Sequence, residues 1–242
     1  MLKGVLVAGI LCLAPISFCE EPSDKTVTIA LAGSSACESF GNNNPDFICG
    51  WGEVIGKYFD SDVEIQNFAV SGFSTKLFIE KGQWEKLLAS KPDYIFMTLG
   101  VNDARPDEER HTDPETTYRD NLLRFARDAK AIGAEIIFVT LNQTLTFDKN
   151  GKVERPDRKL YNKTMRTVAA KLGKPCLELS KAHSRALEKI GYAEGRKLYR
   201  RIPSQNMKLD PAHTNKAGAE MVAKLIADEL KKSDSNLKNH MK

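Results

Sequence analysis

The chain has 242 residues, 41% of them hydrophobic and 28% charged, with a formal net charge of +4. That is enough apolar content for one buried core and short for two. The charges are mixed along the chain, with neither a basic stripe nor a basic patch interleaved with aromatics, which argues against nucleic acid as a partner.

At the start, Lys3 precedes an apolar run over 4–18, and Glu20, Glu21 and Pro22 follow. A positive residue, an apolar stretch and a polar break predict an export leader over 1–19, cleaved after Cys19, and hence a secreted or periplasmic protein. The run is short for a membrane span. Lipidation of Cys19 is the rival reading and would leave a lipid anchor. One domain is expected over 20–232, as a monomer, followed by a flexible polar tail over 233–242. Cys37, Cys49 and Cys176 remain in that domain, and either a Cys37–Cys49 disulfide or three small buried thiols fits them. No Cys/His spacing predicts a metal site, and no phosphate-cradling loop predicts a cofactor.

Short β-branched runs then alternate with helical patterns. Strands are expected over 26–32, 63–68, 94–99, 135–140 and 175–179. Helices are expected over 51–59, 77–89, 114–132, 158–172, 181–190 and 215–231. Asp113, Pro114 and Glu115 mark one helix start and Gly133 its end, while Thr214 or Asn215 caps the last helix. Strict alternation predicts a parallel sheet with helices on both faces, in the doubly wound order 2-1-3-4-5. The stretches 141–157 and 192–212 read as long loops. Ligands of such sheets bind at the carboxyl ends of the strands, near the switch point between strands 1 and 3.

Those strand ends carry the chemistry. After strand 1 comes Gly33-Ser34-Ser35, a tight exit that can expose a serine. After strand 2, Gly72 can bring a backbone N–H close to an oxyanion. After strand 3, Asn102 can donate its amide to developing negative charge, a contribution worth about 10²–10³ in turnover. Before the last helix, Asp210 and His213 stand three apart on an expected loop, the spacing of a base and its orienting carboxylate. Among the other histidines, His111 lies in a charged loop as a conceivable substrate contact, His183 in a helical pattern and His240 in the tail.

Gly33-Ser34-Ser35, Gly72, Gly100-x-Asn102-Asp103 and Asp210-x-x-His213 resemble the four blocks of the SGNH hydrolases. Within that superfamily the sequence is most similar to the rhamnogalacturonan acetylesterase group, through Gly50-Trp51-Gly52-Glu53, Asn67-x-Ala69-x-x-Gly72-x-Ser74, Tyr118, Leu122 and His213-Thr214-Asn215-x-x-Gly218-Ala219. The resemblance implies a three-layer α/β/α sandwich. It implies Ser35 as nucleophile, His213 as general base, Asp210 as its orienter, and an oxyanion hole of Ser35, Gly72 and Asn102. Ser34, Val101, Asp103 and Ser74 would be substrate-binding positions. The implied reaction removes acetyl groups from a plant cell-wall polysaccharide or oligosaccharide, pectin or xylan, without a cofactor. Two positions depart from the family pattern: Ser34 replaces the usual Asp, and Val101 replaces a frequent His. The alternatives are a lysophospholipase or thioesterase of the same fold, and a carbohydrate-binding protein that has lost turnover.

Overall fold

The structure is a computed structural model and describes Met1 and residues 26–41, 44, 47–153 and 155–242. The expected export leader, with Cys12 and Cys19, lies outside the described residues except for Met1. Five parallel strands, β1 (Val27–Ala32), β2 (Val63–Asn67), β3 (Tyr94–Met97), β4 (Glu135–Val139) and β5 (Cys176–Leu177), form one sheet in the order β2-β1-β3-β4-β5. This is the doubly wound order expected from the alternation of strands and helices.

The sheet is buried on both faces because alternate side chains feed opposite cores. Along β3, Ile95 and Met97 pack with Phe78, Trp84, Phe125 and Met165. Phe96 between them packs on the other face with Trp51, Ile55 and Ile226. The first layer is built from α1 (Thr75–Glu80), α2 (Gln83–Ala89), α3 (Thr117–Ala131) and α4 (Pro156–Leu172). The opposite layer holds two 3₁₀ turns, Trp51–Glu53 and Ile55–Tyr58, and α6 (Lys216–Lys231), with α5 (Leu179–Gly195) beside α6.

Several expected boundaries move for local reasons. The helix expected over 51–59 is the pair of 3₁₀ turns, and the one over 77–89 is α1 and α2, broken at Lys81 and Gly82. Helix α3 begins at Thr117, because the Asp113 carboxylate accepts the N–H groups of Glu115 and Thr116 and closes a turn ahead of the helix. Asn215, rather than Thr214, caps α6 by accepting the Gly218 N–H at 3.1 Å.

Two larger expectations are corrected. The stretch 192–212 is not one irregular loop. It holds β6 (Tyr199–Ile202) and the start of β7 (Lys208–Thr214), an antiparallel pair outside the main sheet. The tail over 233–242 is docked, not frayed. A 3₁₀ turn, Asn236–His240, buries Leu237 completely, and Met241 bridges to Phe59. Cys37, Cys49 and Cys176 are free thiols, the first two buried. Burial pushes the Cys49 thiol up to about 11 and that of Cys176 up to about 12.

Candidate active site

The exit of β1 is a compressed turn. The Ser34 carbonyl accepts the N–H groups of Cys37 at 2.8 Å and Glu38 at 3.0 Å. A Cβ at Gly33 would lie 2.7 Å from Cys37 Cβ, so only glycine fits there. Asn67, at the end of β2, donates to the Cys37 carbonyl and accepts the Ala69 N–H, which locks this turn to the next strand exit. The turn leaves Ser35 half-buried at the mouth of a cleft and turns Ser34 inward, 3% exposed.

Ser35 Oγ lies 3.0 Å from His213 Nε2, across 178 positions of sequence. His213 Nδ1 lies 2.8 Å from Asp210 Oδ2. Asp210 Oδ1 accepts the N–H of Ala212 at 2.8 Å and of His213 at 3.3 Å. Asp210 and His213 lie within β7, in the stretch where its register against β6 breaks between the pairs Tyr199–Thr214 and Arg201–Leu209, so the Asp210 bonds to the Ala212 and His213 N–H groups fix their spacing. Burial alone would push the Asp210 carboxyl up. Hydrogen bonds from His213, from the Ala212 N–H and from Arg200 outweigh that and hold it well below the usual carboxylate range. With the carboxylate on Nδ1, the Nδ1–H tautomer is favoured and Nε2 is free to take a proton from Ser35.

Gly72 and Asn102 line the same cleft, of about 370 Å³, as Ser35 and His213. Gly72 has φ +81°, a backbone conformation that favours glycine, and the space around a Cβ position there is open. Among the described residues, neither the Ser35 nor the Gly72 N–H has a hydrogen-bond acceptor. Asn102 is 5% exposed, and one of its amide hydrogens is held by the Phe73 carbonyl at 2.9 Å. That bond ties the β3 exit to the Gly72 turn and orients the amide. Two backbone donors and one fixed side-chain donor can therefore face a carbonyl attacked by Ser35.

Four expected substrate contacts do not reach the cleft. Ser34 points into the β1 turn. Ser74 is fully buried and caps α1 by accepting the Leu77 N–H. Asp103 is fully buried and accepts from the Thr75 N–H, the Thr75 hydroxyl and the Thr112 hydroxyl. Burial lifts its carboxyl to about 6 against the pull of those donors. Val101 packs against the apolar core of the first layer. His111 is exposed and bonded to the Arg105 carbonyl, away from the cleft lining. His183 is fully buried, and burial pushes its imidazole down to about 4.

Three arginines line the cleft that the strand-end argument did not find: Arg105, Arg110 and Arg200. Among the described residues no carboxylate lines it. Arg105 and Arg110 come from the turn after β3, and Arg110 is partly offset by Asp107 at 2.8 Å. Arg200 comes from β6 and donates to Asp210 Oδ2 at 2.8 Å. Their only trace in the sequence is a basic residue within ten positions of a motif block, after it for Arg105 and Arg110 and before it for Arg200, a signal shared with many surface loops.

Comparison with known proteins agrees with this geometry. The profile of the GDSL-like lipase/acylhydrolase family matches residues 31–221. The chain is 30% identical over 225 residues to the rhamnogalacturonan acetylesterase RhgT of Bacillus subtilis, covering 90% of this chain and 95% of that one. It is 28% identical over 206 residues to the probable rhamnogalacturonan acetylesterase YesY of the same organism, covering 84% and 92%. The crystal structure of the Bacillus subtilis protein YxiM superposes with a TM-score of 0.74 at 26% identity, over 86% of this chain and 56% of that one. The acetylxylan esterase Axe2 of Geobacillus stearothermophilus shares the fold, with a TM-score of 0.64 at 17% identity, over 85% of this chain and 96% of that one. With that match over most of its length, and with the sheet order and strand-end site its sequence implies, the chain belongs to the GDSL-like lipase/acylhydrolase family of SGNH esterases.

Proposed function

We propose that the protein is an exported serine esterase that removes acetyl groups from an acidic plant cell-wall polysaccharide of the pectin type. The observation that carries the reading is the Ser35–His213–Asp210 chain of contacts, at 3.0 and 2.8 Å, opening on a cleft walled by arginines. Ser35 Oγ attacks the ester carbonyl as His213 Nε2 takes its proton. The tetrahedral oxyanion is held by the N–H groups of Ser35 and Gly72 and by the Asn102 amide. The C–O bond to the sugar then breaks, and His213 returns its proton to the departing sugar oxygen. Water, deprotonated by the same imidazole, releases acetate from the acyl-serine. Asp210 stays ionised throughout and stabilises the imidazolium.

The substrate class rests on two supports. Two curated relatives, at 30% and 28% identity, carry the rhamnogalacturonan acetylesterase name. Arg105, Arg110 and Arg200 line the cleft and among the described residues no carboxylate lines it with them, which suits a chain that bears uronate groups better than neutral xylan. The leader-like start of the chain supports export, where such polymers are met.

The test is acetate release from acetylated pectin, acetylated xylan and an aryl acetate by the purified domain, with Ser35→Ala beside it. The expected result is a preference for pectin and a loss on the order of 10⁴–10⁶ in kcat for the variant. Turnover that survives Ser35→Ala, or a folded protein inert on all three, would sink the reading.

A further inference from the structure

A second depression adjoins the catalytic cleft. It is a groove of about 510 Å³, and Asn44, Ile48 and Arg200 line both volumes. Its size falls in the range of about 300–1,000 Å³ that houses small organic ligands. Its two lips are Phe47, 61% exposed, and Met207, 51% exposed. Both adopt left-handed backbone, with φ of 52° and 59°. A large side chain in that region costs about 1–2 kcal/mol per residue and tends to persist where a ligand clamp needs it. Phe47 precedes the first 3₁₀ turn and Met207 sits in the β6–β7 connection, so two segments distant in sequence each offer an apolar side chain to one groove.

The remaining lining is mixed: Ile48, Cys49, Tyr199 and Ala217 extend the apolar surface, and a polar wall stands beside them. Arg201 and Lys216 give that wall positive charge, Arg200 is shared with Asp210, and Glu53 is already occupied by the N–H groups of Phe40 at 2.8 Å and Gly41 at 3.2 Å. An acyl chain laid here would desolvate several charged groups without pairing them. A pyranose has an apolar C–H face for Phe47 and Met207 and a hydroxyl edge for the polar wall. A chain of such rings carrying carboxylates would also meet the arginines.

We propose that this groove is a chain-binding subsite, which holds the sugar units next to the acetylated one through stacking on Phe47 and Met207. The proposal rests on the acidic-polysaccharide reading above. It makes the groove a determinant of polymer over small-ester preference, separate from the chemistry at Ser35.

The experiment compares kcat/KM on acetylated pectic oligosaccharides with kcat/KM on p-nitrophenyl acetate, for the parent, Phe47→Ala and Met207→Ser. The expected result is that the ratio falls about tenfold in Phe47→Ala, carried by KM for the oligosaccharide. Phe47→Asn tolerates the left-handed backbone and removes the ring, so it gives the same readout if the alanine variant folds poorly. In the Ser35→Ala background, calorimetry with the uncleaved oligosaccharide should show the same loss of affinity. An unchanged ratio overturns the proposal, as does an equal loss on both substrates. A loss confined to p-nitrophenyl octanoate overturns it in favour of an acyl-chain groove. Should the parent hydrolyse the aryl acetate through Ser35 but release nothing from any polysaccharide, the substrate reading fails, and the subsite with it.

Discussion

Arg200 Nε and His213 Nδ1 lie on the same oxygen, Asp210 Oδ2, each at 2.8 Å. With the N–H groups of Ala212 and His213 on Oδ1, the carboxylate meets four donors and is fixed in orientation. Arg200 also places a positive charge beside the imidazole. The other charged groups are Arg105 and Arg110 in the cleft, with Arg201, Lys216 and the Glu53 carboxylate in the adjoining groove.

Arg200→Gln tests the contact with Asp210. Removing the guanidinium takes one of the four donors from Asp210 and loosens the carboxylate that orients His213, so kcat on the aryl acetate should fall about tenfold with KM little changed. Arg200→Lys keeps the charge and loses the guanidinium geometry, so it should recover only part of kcat. An unchanged kcat, or a loss matched by a lower melting temperature, would mean that Arg200 merely supports the β6–β7 pair.

Arg105 and Arg110 line the cleft with Ser35 from the turn after β3 and take no part in the Asp210 contacts. In Arg105→Gln and Arg110→Gln, KM for acetylated pectin should rise about fivefold each, the size of an exposed charge contact. Acetylated xylan should respond little. Added salt should raise KM of the parent on pectin and flatten the difference between parent and variants. Equal effects on pectin and xylan would assign these arginines to the fold of the turn.

Asp103 was expected at the substrate and instead ties the β3 exit to the start of α1 and to Thr112. Its carboxyl titrates near 6 in the fold because burial disfavours the charge. A folded pKa above the unfolded one contributes stability that is complete below about pH 4 and is lost as pH rises through about 6. Relative to Asp103→Asn, the melting temperature of the parent should fall between pH 4 and pH 6 and run parallel above that. A flat difference across this window would mean that the carboxyl is ionised throughout.

The sheet order and the convergence of Ser35, Asn102 and His213 on one cleft are legible because each rests on a local signal at an element boundary. Gly33 to Ser35, Asn102 and the Asp210–His213 spacing lie within a few residues of an element boundary. What escapes notice depends on tertiary placement. Pro211 in the middle of β7 cannot donate to a ladder and disguises a strand that survives in a two-stranded pair. Arg200 reaches Asp210 only through the β6–β7 pairing, ten positions away in sequence. Ser74 and Asp103 sit in motif positions yet face inward, because a motif names a residue without giving its side-chain direction. Phe47 and Met207 border the groove from separate segments, and neither carries a periodic signal.

The end of the chain shows the same limit and supplies a stability test. The composition of 233–242 reads as solvated, since one leucine among charged and polar residues has no periodicity to mark it. In the structure Leu237 is fully buried in the core formed with Phe59 and Leu230. The His240 carbonyl accepts the Asp60 N–H at 3.0 Å, and the Lys242 N–H donates to the Tyr58 carbonyl at 3.1 Å. The segment thus closes the open side of the 3₁₀ turns that carry Trp51 and Phe59. Leu237→Ala should cost about 2–5 kcal/mol as a buried large-to-small change. For a domain of this size that lowers the melting temperature by roughly 5–20 °C. Activity on the aryl acetate below the transition should be retained, because the segment lies under the layer opposite α3 and touches none of the cleft residues. A melting temperature equal to that of the parent would show that the turn contributes nothing in solution, and that the solvated reading of the tail was the right one.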